Sequence, residues 1–457
     1  MRHFLGLASL AISSLLSACV ATPPAQVSKG YVESRTEPVQ AVMQTFSGGP
    51  AIGATRSNSE MAADFLDLTF RMESGRSLPM LTRFEGPITV ALIGDVPPLA
   101  RMEAMRLIAR LQAEAGLNIN VTNGRQASVV IDFQPRSALR RAVPSAACFT
   151  VPNVASFKEY LGARRSAKVD WAQLDRRTQV AIFIPSDTSS QEVRDCLHEE
   201  TAQAIGPLND LFRLPDSVFN DDNFNSVLTG FDMLMLRVQY AGDLHSGMTQ
   251  GDVAARLPGL LARINPGGES RAGAPKPISP RNWISAVESA FGGSPAARFG
   301  AAQRMMTIAR NEGWTDGRLA FSYFALARAQ TGRDIGAAID NYTQAARIWR
   351  AQPGGQIHAA HVDMQLAAFA LSSGRFDEVL ALTGPAIPVV RQYQNASLLA
   401  TMLAMRAEAL DATGRDAEAQ AARLDSLGWA RYAFGSDAQV RARLADISEL
   451  AVRGRRG

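Results

Sequence analysis

The side chains best suited to catalysis or ligand binding are carboxylates and amides concentrated between positions 199 and 210. They are Glu199, Glu200, Gln203, Asn209 and Asp210. Carboxyl groups serve as general acids and bases, and carboxylate and amide oxygens are preferred ligands of hard cations such as Ca²⁺. The segment is therefore compatible with an acid–base site, a hard-cation site, or a hydrogen-bonded network that ties a helix to the loop after it.

The same segment resembles the zinc-binding helix of metalloproteases. In the register that starts at His198 the comparison fails, because Ala202 stands where an HExxH helix has its second histidine. One residue later the spacing is similar to the metzincin pattern HExxHxxGxxH: Glu200 and Gly206 are retained, and Glu199, Gln203 and Asn209 stand at the three histidine positions. Further similar positions follow at Ser217-Val218-Phe219, Leu228-Thr229, Asp232 and Tyr240.

The resemblance implies a metzincin-like domain with Glu200 at the position of the general base, while the three ligand positions depart from the pattern. A hydrolytic zinc site needs three good ligands, usually imidazoles, and an open fourth position. One carboxylate and two neutral amides form a poor zinc site, and they are too few for Ca²⁺ without help from Asp210, Asn220 or Asp221. We therefore predict no metal and no cofactor, and interpret the set as a hydrogen-bonded network or a metal-free cleft. A hard-cation site and carboxylate-driven hydrolysis are the alternatives.

A longer pattern extends beyond the helix: EExxQxxGxxND, then SxFND, then LTxxDxxxLRxxY. It resembles an uncharacterised bacterial secreted family, domain of unknown function 2927, over about residues 75–250. The resemblance implies that the glutamates and Gln203 are usual at these positions. It implies no activity.

Other candidate sites carry less weight. His358 and His361 share one face of a predicted helix, which is more typical of a packed or solvated pair than of a metal site. Phosphate-loop and Gly-x-Ser-x-Gly patterns are absent from the sequence. The 47 basic residues barely exceed the 43 acidic ones and form no stripe with aromatics, so we predict no nucleic-acid partner.

The N-terminus indicates export and lipid anchoring. Arg2 and His3 precede a short apolar run that ends in Leu16-Ser17-Ala18-Cys19. The run is too short to span a bilayer and is typical of a signal peptide. The ending resembles the lipobox of bacterial lipoproteins, which implies lipidation of Cys19 and a membrane anchor. Val20 after the cysteine implies the cell envelope, at the outer membrane and facing the periplasm; an ordinary cleaved signal is the alternative.

The two remaining cysteines form an even pair. In an exported, oxidising setting Cys148 and Cys196 are predicted to form a disulfide. The alternative is a reactive thiol at Cys196, which would need an activating base beside it. His198 is two residues away, and residues two apart on a helix face different directions.

The elements that must position the candidate site indicate two domains. Residues 1–19 are predicted to be a signal peptide and residues 20–57 a tether. Residues 58–264 show mixed α/β patterning. The predicted helices of this domain are 61–72, 99–115 and 192–205, and the predicted strands are 87–94, 118–122, 128–133 and 179–184. A turn at Asn123-Gly124 separates two of the strands. Residues 265–281 are rich in Pro and Gly and predict a linker, and 282–457 are Ala-rich and helical.

The C-terminal half repeats at about 40-residue spacing. Each unit is an apolar helix that ends in a Gly-Arg turn, at Gly332, Gly374 or Gly414, and is followed by a second helix. The repeats resemble the tetratricopeptide type over about 295–452, and a plain helical bundle is the alternative. The predicted fold class is thus α+β: a metzincin-like α/β domain followed by an all-α helix-pair solenoid.

Together these patterns favour a lipid-anchored envelope protein that binds and does not catalyse. A solenoid offers a groove for a protein or peptide partner. The alternative function is a peptidase-like envelope hydrolase that uses Glu200 as general base.

Overall fold

The computed structural model describes residues 42–48, 53–123 and 126–456. The predicted signal peptide, Cys19 and Gly124 of the predicted turn lie outside the described residues. Within those ranges the chain forms sixteen α-helices and five strands, which confirms the predicted α+β class. None of the helices in this part of the chain is long and apolar enough to cross a membrane.

A five-stranded sheet organises the first half. Its strands are β1 (Ile88–Gly94), β2 (Ile119–Val121), β3 (Val129–Gln134), β4 (Phe149–Pro152) and β5 (Val180–Pro185), in the spatial order β2-β1-β3-β5-β4. The first four in that order are parallel, and β4 is an antiparallel edge. All six residues of β5 are buried, as expected for a central strand covered on both faces.

The sequence patterns do not predict two features of this sheet. The strands predicted on either side of Asn123 do not pair with each other, because β1 lies between β2 and β3. The predicted turn separates them along the chain only. Strand β4 has only four residues and no clear alternation of apolar and polar side chains, so its pattern gives little signal.

Helices cover both faces of the sheet. They are α1 (Asn58–Thr69), α2 (Ala100–Ala115), α3 (Arg136–Ala142), α4 (Phe157–Ala163), α5 (Ser190–Ile205), α6 (Gly230–Gln239) and α7 (Gln250–Ile264). Alternate residues of β5 point to opposite sides: Ile182 joins the larger core, whereas Phe183 packs in an aromatic cluster with residues of α4. The larger core thus lies beneath α2 and α5, and α5 carries the candidate site residues.

The second half is helical throughout. Its helices are α8 (Arg281–Gly292), α9 (Pro295–Asn311), α10 (Gly317–Gln330), α11 (Ile335–Arg350), α12 (Gln356–Ser372), α13 (Phe376–Gln392), α14 (Ala396–Ala412), α15 (Asp416–Phe434) and α16 (Asp437–Arg456). The pairs α10/α11, α12/α13 and α14/α15 start 39 and 40 residues apart. Gly374 and Gly414, after α12 and α14, adopt the left-handed backbone angles common for a glycine after a helix, whereas Gly332, after α10, does not. Helix α16 packs against α12, α14 and α15.

The two halves share a continuous interface. Phe212 and Phe224, from the loop between α5 and α6, belong to the hydrophobic core of the second half. Phe224 contacts Trp349 edge to face, with ring centroids 5.6 Å apart. On the other side, Gln191 of α5 accepts a hydrogen bond from the backbone N–H of Ala396, at the first turn of α14. The loop after the candidate site is therefore held by the helical half.

Candidate functional site

Helix α5 is fixed at both ends, which sets the position of every candidate side chain on it. At its start, the Ser189 hydroxyl accepts a hydrogen bond from the backbone N–H of Glu192. At its end, the buried guanidinium of Arg177 donates to the carbonyls of Gln203, Ala204 and Gly206, at 2.8, 2.9 and 2.5 Å. The last carbonyls of a helix lack partners within it, so Arg177 satisfies groups that would otherwise be buried unpaired.

Gly206, at the end of α5, is required by packing and not by its backbone angles. Its φ is −131°, outside the left-handed region expected of a helix-capping glycine. A Cβ at this position would lie 2.5 Å from a methyl carbon of Leu236 and 2.8 Å from the carbonyl oxygen of Ala202. The glycine is needed because α6 approaches the end of α5 closely.

The downstream part of the motif is structural. The carboxylate of Asp232 accepts hydrogen bonds from the Ser217 hydroxyl, at 2.5 Å, and from the backbone N–H groups of Val218 and Thr229. This ties the turn at residues 217–219 to the start of α6. The Tyr240 hydroxyl donates to the Ile205 carbonyl at 2.8 Å. The spacing found in the sequence therefore corresponds to loop and helix-end contacts around α5.

A cluster of carboxyl groups lies along α5, and one of its members was not predicted. Glu73 comes from the loop between α1 and β1 and interacts electrostatically with Glu199, Glu200 and Asp210. Glu200 is buried and Glu73 is exposed, while Glu199 and Asp210 are half-buried. We call these four residues the carboxyl cluster. Glu73 is 126 positions before Glu199, so no spacing pattern could have joined the two.

Burial and repulsion between carboxylates favour protonation of three members of the carboxyl cluster: Glu199, Glu200 and Asp210. The pKa of Glu199 is raised to about 8. Burial is the largest cause, and the negative charge of Glu73 is the next. Burial, followed by the charges of Glu199 and Glu73, raises the pKa of Glu200 well above its ordinary value of 4.5. Burial first, and then the charge of Glu73, raises the pKa of Asp210 well above its ordinary value of 3.8.

Glu200 differs from its neighbours in burial and bonding. It is 5% exposed, and its Oε2 atom has no hydrogen-bond partner. A buried carboxylate without a donor is costly, whereas the protonated form avoids the charge. Burial and the missing donor therefore both favour the protonated form of Glu200.

The two amides of the motif reach toward different partners. The Gln203 side chain donates to Glu73 over 3.4 Å, and the Asn209 side chain donates to the backbone carbonyl of Asp67 at 2.9 Å. The backbone N–H of Asn209 also points to the Leu68 carbonyl, at 3.2 Å. Asn209 thus fastens the loop after α5 to the end of α1, and Gln203 joins the carboxyl cluster.

His198 lies away from the carboxyl cluster in the core. It is 4% exposed, and its Nδ1 atom accepts a hydrogen bond from the backbone N–H of Leu228 at 3.2 Å. Burial, with help from nearby arginines, lowers the pKa of His198 well below its ordinary value of 6.5. Among the described residues, no group of three or more His, Cys, Asp or Glu side chains is arranged to hold a metal ion.

The predicted cysteine pair is bonded in the structure. Cys148 and Cys196 have Cα atoms 6.0 Å apart and are joined by a disulfide. Cys148 directly precedes β4 and Cys196 lies in the middle of α5. The bond therefore fixes the antiparallel edge of the sheet to the helix that carries the candidate site.

The two candidate histidines of the helical half lie at the interface with the first half. His358 is fully buried and pairs with Asp222, whereas the His361 ring packs against Phe224 with centroids 4.6 Å apart. Burial first, and then His358, lowers the pKa of His361 to about 3. The pair is packed against the loop after α5, and the sequence gives no sign of that contact.

Comparison with known proteins bears on the first half only. The search of curated proteins gave no match. The match with a family model begins at the first residue of α1 and ends within α7, and so covers the sheet, α5 and the carboxyl cluster. It is wider than the range predicted from the motif, and it confirms the resemblance drawn from that motif. Residues 58–259 match the family described as protein of unknown function (DUF2927).

Proposed function

We propose that this protein is a lipid-anchored component of the bacterial cell envelope that acts as a non-catalytic binding or adaptor protein. In this proposal Cys19 carries the lipid, and the anchor holds the protein at the outer membrane facing the periplasm. The α/β half is a degenerate zincin-like domain, and the helical repeats dock a protein or peptide partner. The disulfide is consistent with an exported protein, because such bonds persist in oxidising compartments.

The burial and raised pKa of Glu200 are the main support for a non-catalytic function. A general base must be deprotonated at the working pH and within reach of the proton that it removes. Glu200 is buried, lacks a partner for Oε2, and has a pKa raised well above 4.5. The zinc positions that could lower this pKa hold Glu199, Gln203 and Asn209, none of them an imidazole.

The proposal is tested by photo-cross-linking in intact cells. A photoreactive residue is placed at exposed apolar positions: Ile335 and Val452 in the helical half, and Met105 and Leu161 in the α/β half. We expect one reproducible adduct from the helical half and none from the α/β half. Adducts from the α/β half alone would overturn the assignment of partner binding to the repeats.

The anchor is tested separately by metabolic labelling with palmitate. Wild type should incorporate label and sediment with membranes, and the Cys19→Ser variant should do neither. Unlabelled, membrane-free wild type would overturn the lipid anchor without affecting the binding proposal.

One observation favours a second function, a peptidase-like hydrolase with Glu200 as general base. Glu200 lies beside Glu199 in the carboxyl cluster, and perturbed pKa values are common at active sites. Because burial raises the pKa of Glu200 well above its ordinary value, the base form of Glu200 is favoured by higher pH, and such an enzyme should cleave peptides faster as the pH rises. Cleavage that rises with pH and is lost in Glu200→Gln would establish this function.

A further inference from the structure

The protein covers part of its own surface with a segment from before the first helix. Residues 42–48 lie across α15, where the backbone N–H of Gln44 donates to the Gly428 carbonyl at 3.0 Å and the Gln44 side chain donates to Asp425 at 3.2 Å. Two residues later, the Phe46 ring stacks on Trp429 with centroids 4.3 Å apart. We call residues 42–48 the strap.

The surface beneath the strap is shaped for one aromatic ring and one hydrogen-bonding residue. The guanidinium carbon of Arg194, on α5, lies 5.1 Å from the Phe46 ring centroid, so the ring contacts both Trp429 and a cation. Gly428 leaves room for Gln44, because a Cβ there would lie 2.8 Å from the Cγ atom of that side chain. We call the site formed by Arg194, Asp425, Gly428 and Trp429 the α5–α15 notch.

The notch is held in place from below. Arg194 is 4% exposed and donates to the backbone carbonyl of Gln394 at 3.2 Å. The Trp429 indole N–H donates to Asp425 at 3.2 Å, and Arg391 also pairs with that carboxylate. The notch is thus built from fixed side chains of both halves of the protein.

The strap itself is held by few contacts. Val42 is 85% exposed and Met43 is 37% exposed, so Gln44 and Phe46 provide the specific contacts described above. Short connections give such a segment a high effective concentration, which keeps it bound even when its intrinsic affinity is low. A free peptide with the same contacts must therefore compete with the strap for this surface.

We propose that the α5–α15 notch is a peptide-binding site and that the strap is its resident competitor. The partner is an extended peptide that presents an aromatic side chain two residues after a hydrogen-bonding residue, as Gln44 and Phe46 do. Residues two apart in an extended segment point to the same side, so both reach the notch together. This deepens the proposed binding function, on which it rests, by naming the site and the ligand class.

The test uses the full chain without the predicted signal, and a fluorescent peptide with the strap sequence VMQTFSG. In the Phe46→Ala protein the notch is vacated, and the peptide should bind saturably by fluorescence anisotropy. Wild type should bind at least about tenfold more weakly, because its own strap competes. A peptide with alanine in place of phenylalanine should not bind.

Gly428→Ala provides the decisive variant in the Phe46→Ala background. Alanine favours a helix over glycine, so the fold is retained, but the added Cβ meets Gln44 of the peptide. Peptide affinity should fall at least tenfold. Gly384→Ala, in α13, is the matched control, because its Cβ finds only an ordinary contact 3.6 Å from Arg406.

Two results would overturn the inference: no peptide binding to a Phe46→Ala protein whose melting temperature is unchanged, or equal affinity in wild type and Phe46→Ala. Neither result would change the interpretation of cross-links from Ile335 or Val452, which test the proposed binding function independently.

Discussion

The Nε2 atom of His358 lies 2.7 Å from a carboxylate oxygen of Asp222, and the two residues come from different halves of the protein. His358 is on α12, and Asp222 is on the loop that follows the candidate site helix. Both side chains are buried, at 1% and 7% exposure. The loop between α5 and α6 therefore depends on the helical half for its position.

Loss of this contact should destabilise the interface. His358→Ala leaves Asp222 buried without its partner, so the free energy of unfolding should fall by about 1–3 kcal/mol. Thermal and urea unfolding measure this loss, with the exposed His245→Ala as the control. Equal stability of the His358 variant and wild type would show that the pair does not hold the halves together.

The end of α5 should depend on Arg177. Arg177→Met removes donors to three carbonyls, and buried unpaired groups cost about 1–3 kcal/mol each. We expect a loss of about 3 kcal/mol or more in the free energy of unfolding. The neighbouring Arg176 is exposed, so Arg176→Met should have little effect. Similar losses in both variants would contradict this role.

The disulfide should stabilise the fold by restricting the unfolded chain. It closes a loop with a sequence separation of 48 residues, for which loop entropy predicts about 4 kcal/mol, and measured values are typically about 2–4. Reductant should therefore lower the melting temperature of wild type, and should not change that of the Cys148→Ala/Cys196→Ala double variant. Two free thiols in the non-reduced protein, by thiol titration, would contradict the pairing.

The carboxyl cluster should make stability depend on pH. The pKa of Glu199 is raised to about 8 in the folded state, so the folded protein holds a proton that the unfolded chain releases near pH 4.5. The stabilisation of the folded state by this proton is complete below about pH 4.5 and is lost as the pH rises toward 8.

Glu199→Gln, which mimics the protonated form, should remove much of this dependence. The variant should be more stable than wild type at pH 8 by at least about 1 kcal/mol, since one pKa unit corresponds to about 1.4 kcal/mol. Exposed Glu312→Gln is the matched control. The measurement is the melting temperature of each protein from pH 5 to 9. Parallel curves of melting temperature against pH for wild type and Glu199→Gln would contradict a raised pKa at Glu199.

Local sequence signals predicted most of the fold and part of the site. Periodicity located α2, α5 and four of the five strands closely, and glycine spacing located the repeat turns. These features depend on neighbours in sequence. Glu73, Arg177 and the His358–Asp222 pair could not be predicted, because each acts on residues that only the folded chain brings near. Gly206 belongs to the sequence motif, but the need for glycine there comes from a contact with α6 that the sequence does not reveal.

The most direct measurement of the central claim is the yield of cross-linked partner from Ile335 in cells with wild-type protein or Glu200→Gln. A non-catalytic binding protein should give equal yields, because partner binding does not use the carboxyl chemistry of α5. A yield that falls in Glu200→Gln, with melting temperature and protein level unchanged, would place Glu200 in the function and contradict the account.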